Sequence, residues 1–347
     1  MNNSILTPSE RLASIPNPEL LRLAEVASIG CTTLLLAAGF EERSLGILKA
    51  LAKREKKFTV LMIRYLPLIS ENRAEEIINF CIENRIDVIE LEYDRRDPRN
   101  FGAALLEAAP TESQILVDVS AMSRLLIVQT IVALANSAFS KDFAVGYCEA
   151  ETYSPSRQKA EAILDDVGQN PLNGMTFLSS GVLQVAIVPE LSSATYGSQQ
   201  TRLIVFPSFD SHHFVAVRSE ILPSRFAFIE GAPPDAANNW RKAAIQKINE
   251  LEKFQDSDCF TTSTLDYRET LNLLLQIYQK HSLRERIVVS PTGSKMQTVA
   301  VGVFKAYLDD VQIVYPVATD FNSPESYSIG IGDMHVLDVS QFFKERP

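Results

Sequence analysis

The chain has 347 residues, 46% of them hydrophobic and 22% charged, which is the balance of a globular protein rather than a disordered or fibrous one. Its 33 basic and 43 acidic residues give a net charge of −10, which argues against a protein that coats bulk nucleic acid. The length suits two domains of ordinary size. The four cysteines include no CxxC pair and no histidine at ligand spacing, so the sequence predicts a reducing compartment and no metal site.

The first residues, MNNSILTPSERLASIPNPELLRL, lack a basic stretch followed by an apolar core, so no signal peptide is predicted. No apolar run approaches the roughly 20 residues that span a bilayer. The sequence therefore predicts a cytoplasmic protein that has no membrane partner. Residues 1–30 are predicted to form a leader helix, with Asn17 as the N-cap and Pro18 in the first turn.

Apolar runs and amphipathic stretches alternate through the first half of the chain. The predicted strands are 31–38, 58–65, 87–93, 114–119 and 142–149, and the predicted helices are 44–54, 72–84, 100–109 and 124–139. This alternation is typical of a parallel α/β sheet that is covered on both faces. A surface helix is predicted within residues 156–174, a segment present only in this half.

The second half repeats the pattern of the first. Residues 287–324 correspond to 115–155, and the distance from Phe40 to Ser120 is 80 residues, against 81 from Phe209 to Ser290. Two unrelated α/β lobes would also alternate, but duplication explains the shared spacing.

The fold class predicted is α/β, with two tandem Rossmann-like lobes at 31–195 and 196–347. Each lobe is expected to hold a mainly parallel sheet of about five strands, and an internal pseudo-twofold axis relates the two lobes. Residues 181–188 and 332–339 are predicted to add a strand or hairpin to each lobe, and 192–201 to form the linker between them.

Ligands of open parallel sheets bind beyond the carboxyl ends of the strands, where helix N-termini attract anions. The most informative loop there has small residues, hydroxyls and one cation, and its predicted ligand residues are Ser290, Thr292, Gly293, Ser294 and Lys295. The alternative interpretation is a helix N-cap whose lysine lies in solvent. The loop lacks P-loop spacing and no GxGxxG follows the first strand, so neither a P-loop nor a dinucleotide cofactor is predicted.

The corresponding loop of the first half carries Ser120, Ser123 and Arg124, again small hydroxylated residues before a cation. A strand that enters a Thr-Gly-Ser-Lys loop and then an apolar helix resembles the CARF domains, which are Rossmann-like sensors of cyclic oligonucleotides in antiviral defence. SAVED domains fuse two CARF-like units in one chain, and the duplication here resembles that arrangement. The loop of the CARF family is of the type Thr-Gly-Gly-x-Lys, with two glycines. One of these glycines is missing in the second half of this chain, and both are missing in the first half.

The resemblance implies that residues 292–295 hold a phosphate and that Ser123 and Arg124 form a degenerate partner motif. It also implies that the loop after the first strand of each half lines the pocket. Those loops supply Glu42, Arg43 and Ser44 in the first half, and Ser208, Asp210 and Ser211 in the second.

The expected function is a prokaryotic defence sensor that binds a nucleotide-type anion, a cyclic oligonucleotide, without a cofactor. Such a sensor would signal through an effector protein subunit or through its own homo-oligomer. The alternative is an enzyme, either a ring nuclease that sets a ribose 2′-OH against the adjacent phosphate or another nucleotide-directed Rossmann-fold enzyme. The residues to examine for cleavage are Lys295, Ser44 and Ser211.

Other polar and aromatic residues receive weaker assignments from the sequence. His212 and His213 follow a strand and either contact a ligand or, as the favoured interpretation, form a solvent-facing or capping pair. No Ser-His-Asp or paired-carboxylate constellation is assigned. Tyr147 and Tyr315 either stack on a base or pack in the core. Trp240 is predicted to be a packing residue.

Overall fold

The computed structural model describes residues 10, 19–21, 25, 30–54, 56–110, 113–169, 179–193, 200–254, 256–321 and 327–343. The strands are β1 (Glu19–Leu21), β2 (Thr33–Ala37), β3 (Thr59–Leu66), β4 (Asp87–Asp94), β5 (Ile115–Asp118), β6 (Phe143–Cys148), β7 (Ser179–Ala186), β8 (Gln200–Val205), β9 (Arg225–Ala232), β10 (Asp258–Ser263), β11 (Glu285–Ser290), β12 (Gln312–Ile313), β13 (Tyr315–Phe321) and β14 (Met334–Leu337). The α-helices are α1 (Gly46–Leu51), α2 (Ala74–Glu83), α3 (Phe101–Ala108), α4 (Arg124–Ala135), α5 (Arg157–Gln169), α6 (Ser211–Ile221), α7 (Trp240–Ile248), α8 (Tyr267–His281), α9 (Lys295–Tyr307) and α10 (Ser340–Phe343).

The chain forms two compact units, and the first of them is discontinuous. Residues 1–152 and 328–347 make the first unit, and residues 153–327 make the second. The predicted boundary between 195 and 196 differs from this division, because β7 packs with the second unit and β14 with the first. The segments on either side of the second unit are joined by an antiparallel bridge between Thr152 and Ile329, both in the first unit.

Both units contain a parallel sheet with the same strand order. In the first unit β4, β3, β2, β5 and β6 lie side by side and run parallel. In the second unit the order is β10, β9, β8, β11 and β12, again all parallel. Numbered from the first core strand of each half, the order is 3-2-1-4-5 in both, which is the Rossmann order. The predicted α/β class with two Rossmann-like lobes is confirmed. The twofold relation between the units stays a prediction.

The additional strand predicted for each half exists, but it pairs with a strand of the other half: β14 joins the fifth strand of the first sheet, whereas β7 forms a separate two-stranded sheet with β13. β14 lies antiparallel to β6 in the first unit. β7 lies antiparallel to β13, which follows β12 after Val314, in the second unit. The two halves therefore exchange their sixth strands reciprocally, a topology that strand periodicity cannot reveal because it does not specify a partner.

Burial on both faces explains the apolar runs that predicted the strands. All five residues of β2 are buried, as expected for a central parallel strand with helices on both sides. α4 and α9 follow the central strands and are themselves almost wholly buried. In the second unit, Phe214, Phe226, Phe228 and Phe254 form a cluster of edge-to-face and stacked rings beside β8 and β9.

The structure also corrects some element boundaries. Within the predicted leader helix, Glu19–Leu21 form a strand on β14, whereas Asn17 and Pro18 lie outside the described residues. The predicted helix 44–54 begins as a 3₁₀ turn at Glu42–Leu45 and becomes α-helical only at Gly46–Leu51. The predicted surface helix is α5, with 170–174 outside the described part of the chain, as are linker residues 194–199. None of the described helices is long and apolar enough to cross a membrane.

Candidate functional site

The loop from Ser290 to Lys295 is built mainly by its own hydrogen bonds. Thr292 Oγ1 donates to the Phe206 carbonyl over 2.6 Å, which ties this loop to the loop that follows β8. A side chain at Gly293 would place its Cβ 2.5 Å from Gln297 Oε1 and 2.9 Å from Phe206 Cβ, so only glycine fits there. The hydroxyl and the glycine of this loop therefore hold its shape.

Ser294 is the N-cap of α9. Its Oγ accepts from the Gln297 amide over 3.1 Å, and Gln297 Oε1 accepts from the Ser294 amide over 2.9 Å, which is a capping box. The Ser294 hydroxyl also donates to the Thr264 carbonyl over 2.8 Å. The helix N-cap of the alternative interpretation is thus present in the structure.

Two groups of this loop have no role in the cap itself. Lys295 is the first residue of α9 and is half-buried, at the end of the helix where the dipole disfavours a cation. Ser290 is 1% exposed, and its Oγ has no hydrogen-bond partner within the described part of the chain. A buried hydroxyl beneath a helix N-terminus is a donor available to an anion.

The corresponding loop of the first unit has the same cap and the same cation. Ser123 is the N-cap of α4 and accepts from the Leu126 amide, and Arg124 is the first helical residue. The Ser123 amide donates to Tyr65 Oη over 2.7 Å. Ser and then a cation at the helix start therefore recur in both units, as the repeat in the sequence predicts.

Ser120 is fully buried and engaged by the protein. Its hydroxyl donates to the Asp118 carboxylate and accepts from the Cys148 amide over 2.8 Å. Burial and the nearby Asp118 carboxylate raise the pKa of the Cys148 thiol to about 12. These three residues form a buried network at the ends of β5 and β6, so Ser120 is a structural residue here rather than a surface hydroxyl.

The loop after β2 has a buried cation that the sequence assigned only through the family resemblance. Arg43 is 6% exposed, forms an ion pair with Glu41 at 2.6 Å and donates to Tyr147 Oη over 3.3 Å. Tyr147 is itself buried and stacks on His335, so packing rather than base stacking describes it in this structure. Ser44 is 1% exposed, and its Oγ has no partner within the described residues.

The loop after β8 carries Ser208 and Ser211 to the edge where β11 ends. The Ser208 carbonyl accepts from Asn249 Nδ2 over 2.8 Å, and Ser211 is the first residue of α6. The bond between Thr292 and Phe206 brings this loop beside the N-terminus of α9. The predicted ligand residues of the second unit therefore gather at one edge of its sheet.

Trp240, which was predicted to be a packing residue, forms an aromatic pair with Phe209 at the same edge. Phe209 and Trp240 have ring centroids 6.2 Å apart, and the Arg241 guanidinium lies 4.7 Å from the Trp240 ring. Arg241 donates to the carbonyls of Tyr153 and Pro155 over 2.6 and 2.9 Å. Burial lowers the pKa of this guanidinium. Phe209 and Trp240 are partly exposed, and the Arg241 guanidinium also lies 5.8 Å from the centroid of the Phe209 ring.

Sequence reasoning missed one polar cluster of the second unit. Ser179, at the start of β7, lies with its Oγ 3.2 Å from Asp210 Oδ2, 3.1 Å from His213 Nε2 and 3.5 Å from His212 Nε2. The sequence placed the histidines in a loop but gave no sign of Ser179, because β7 reaches this edge only through the exchanged strand pairing. Both histidines are partly exposed and lie in the first turn of α6 rather than in a loop, where they contact Ser179.

Together, fold and site define an α/β protein with two Rossmann-order sheets and hydroxyl-rich, cation-bearing helix N-termini at their carboxyl edges. No protein-family model matches the chain, and no curated protein matches it. Among solved structures, a putative universal stress protein from Pseudomonas aeruginosa UCBPP-PA14 has 9% identity and a TM-score of 0.24, over 84% of this chain and 95% of that one. The cytoplasmic domain of a prokaryotic cation chloride cotransporter has 9% identity and a TM-score of 0.25, over 83% and 96%. TM-scores this low carry no conclusion, so the fold assignment rests on strand order and pairing.

Proposed function

We propose that this protein binds a nucleotide-type anion at the carboxyl edges of its sheets. The observation that carries the proposal is the buried Ser290 hydroxyl, which has no hydrogen-bond partner among the described residues and lies in the loop that leads to Lys295 at the N-terminus of α9. Leaving a buried hydroxyl unsatisfied costs about 1–3 kcal/mol, and a cation in the first helical turn is itself unfavourable. A phosphate at this helix N-terminus offsets both costs at once.

The first unit supplies a similar set of groups. Ser44 is buried and its hydroxyl has no partner in the part of the chain that the structure describes, and Arg124 occupies the place in α4 that Lys295 occupies in α9. The resemblance to tandem CARF-like domains favours a cyclic oligonucleotide over an isolated phosphate.

The neighbouring aromatic pair favours a nucleotide over an inorganic anion. Phe209 follows β8 in the same loop as Ser208, and Trp240 lies across from it at 6.2 Å. Base stacking on such a ring contributes about 1–3 kcal/mol. The anion is therefore proposed to carry a base that reaches Phe209 or Trp240.

On this proposal the protein is a sensor in prokaryotic antiviral defence. Its output would pass to an effector protein subunit or to a homo-oligomer of the chain. The net charge of −10 agrees with a small-molecule ligand rather than bulk nucleic acid. A nucleotide-directed enzyme is the second candidate, and the observation that favours it is the Ser179 hydroxyl shared by a carboxylate and two imidazoles.

Fluorescence of the single tryptophan tests the proposed site. Titration with cyclic di-, tri- and tetranucleotides is expected to change the emission of Trp240 in a saturable way. Lys295→Ala is expected to weaken the affinity about tenfold to a hundredfold, the loss of one charge-assisted hydrogen bond of about 1.5–3 kcal/mol. Lys280→Ala is the matched control, because it removes an exposed lysine in the last turn of a different helix, α8. This variant should leave the affinity unchanged. Equal affinity in the two variants would place the ligand elsewhere.

A further inference from the structure

Ser179 is the centre of a compact set of reactive side chains in the second unit. Its Oγ lies within hydrogen-bond reach of one carboxylate, Asp210, and two imidazole nitrogens, those of His212 and His213. The two imidazole rings are 4.4 Å apart and meet edge to face. Three elements bring the set together: the start of β7, the residue before α6 and the first turn of α6.

The burial of the four residues is graded. Ser179 and Asp210 are 2% and 7% exposed, whereas His212 and His213 are partly exposed. The Ser179 hydroxyl has one proton, whereas three neighbouring groups can accept a hydrogen bond from it. One acceptor would be enough for a hydroxyl with a purely structural role. A hydroxyl at 3.1 Å from an imidazole that reaches the surface has the arrangement of an activated nucleophile.

We infer that Ser179 is the nucleophile of a phosphoester hydrolase activity, with His213 as its general base. This inference rests on the proposed function, because it takes the anion held at the same edge as the substrate. The Phe206 carbonyl accepts from Thr292 Oγ1 over 2.6 Å, so the loop that carries Asp210 to the start of α6 begins in contact with the loop before α9.

The reaction balances with water as the only co-reactant. Ser179 Oγ forms a bond to phosphorus while its proton moves to His213 Nε2. The bond from phosphorus to the leaving oxygen breaks, and that oxygen takes the proton from the imidazolium. Water then gives a proton to His213 and attacks phosphorus, and the bond to Ser179 breaks as the serine recovers its proton. The Asp210 carboxylate and His212 position the hydroxyl.

This chemistry differs from cleavage by a ribose 2′-OH. Attack by the substrate's own hydroxyl requires that hydroxyl, leaves a cyclic phosphate and passes through no covalent enzyme species. Attack by Ser179 proceeds on a diester that has no neighbouring hydroxyl, and it leaves a phosphoryl group on the serine. A substrate without a 2′-OH therefore distinguishes the two mechanisms.

The test uses bis(4-nitrophenyl) phosphate with the full chain. Wild-type protein is expected to release nitrophenolate, and acid-quenched samples are expected to carry the phosphoryl adduct on the peptide that contains Ser179. Ser179→Ala should abolish both signals, and His213→Gln should lower the rate at least a hundredfold, the usual contribution of a general base. Ser180→Ala, the next residue on β7 and on the opposite face of the strand, is the matched control and should keep the wild-type rate.

The outcomes separate this inference from the proposed function. A wild-type protein that changes Trp240 fluorescence with cyclic nucleotides but cleaves neither them nor the chromogenic diester overturns the hydrolase and leaves the binding intact. Nitrophenolate release by Ser179→Ala at the wild-type rate also overturns it. Retained nucleotide binding by Ser179→Ala shows that the variant is folded, so a loss of cleavage in it reports on chemistry.

Discussion

Ser120 and Ser290 occupy corresponding places in the two halves but have opposite hydrogen-bonding states. Ser120 is bonded to Asp118 and to the Cys148 amide, whereas the Ser290 hydroxyl has no partner in the described chain. Ser120→Ala should lower the free energy of unfolding by about 1–3 kcal/mol, because a buried carboxylate and amide lose their partner. Ser290→Ala should leave it within about 0.5 kcal/mol and weaken nucleotide binding instead. Urea unfolding of both variants measures the difference, and similar losses would contradict the assignment of Ser290 to a ligand.

The cysteines give a prediction about alkaline pH. The pKa of Cys148 is raised from 9.0 to about 12 and that of Cys81 to about 11, because burial disfavours the thiolate. In the unfolded chain these thiols ionise near pH 9, so the stability that they contribute is complete below pH 9 and is lost as the pH rises toward 12. The unfolding midpoint of Cys148→Ala should therefore decrease less than that of the wild-type protein between about pH 8.5 and 10.5, the range in which an exposed thiol ionises. An identical slope in both proteins would count against the buried neutral thiol.

The same burial predicts which thiol reacts. Cys259 is exposed, whereas Cys31, Cys81 and Cys148 are buried. Iodoacetamide at neutral pH should modify Cys259 quickly and the other three only on unfolding, because alkylation needs an accessible thiolate. Peptide mass spectrometry after a short exposure shows the order of modification. Early labelling of Cys148 would contradict its burial at the end of β6.

Among the secondary-structure elements, β7 and β14 give the sharpest prediction. The fragment 153–327 contains both β7 and its partner β13, whereas 196–347 contains β13 without β7 and β14 without β6. The first fragment should therefore unfold cooperatively, and the second should expose unpaired strand edges and aggregate. Thermal unfolding by circular dichroism with light scattering compares them. Cooperative unfolding of 196–347 with a midpoint equal to that of 153–327 would contradict the exchanged pairing.

Periodicity and turn residues predicted most of these elements, because central parallel strands are apolar runs and their helices are amphipathic or buried. β3, β4 and α4 begin within one residue of the predicted starts. The partner of a sixth strand could not be predicted, since an alternating strand fits any open edge. That limit also concealed the cluster: Ser179 meets His213 only because β7 crosses to the second unit.

For the whole molecule, both units carry loops of the same kind after corresponding strands. The sequence predicted where these candidate ligand loops lie, because each follows a strand of the repeated pattern. The sequence could not predict that Thr292 and Ser294 form hydrogen bonds within the protein, because a helix cap and a phosphate-binding loop use the same residue types. Ser290 and Ser44 differ from them, because their buried hydroxyls have no hydrogen-bond partner among the described residues.

Isothermal titration calorimetry of the full wild-type chain tests the central claim most directly. Cyclic di-, tri- and tetranucleotides are titrated at fixed ionic strength, with inorganic phosphate as the comparison, because electrostatic binding depends on salt. The account predicts saturable heat with at least one cyclic nucleotide and an affinity at least about a hundredfold above that of phosphate, since base stacking and several phosphate contacts add to one another. The absence of heat with every cyclic nucleotide, from protein that unfolds cooperatively, would contradict it.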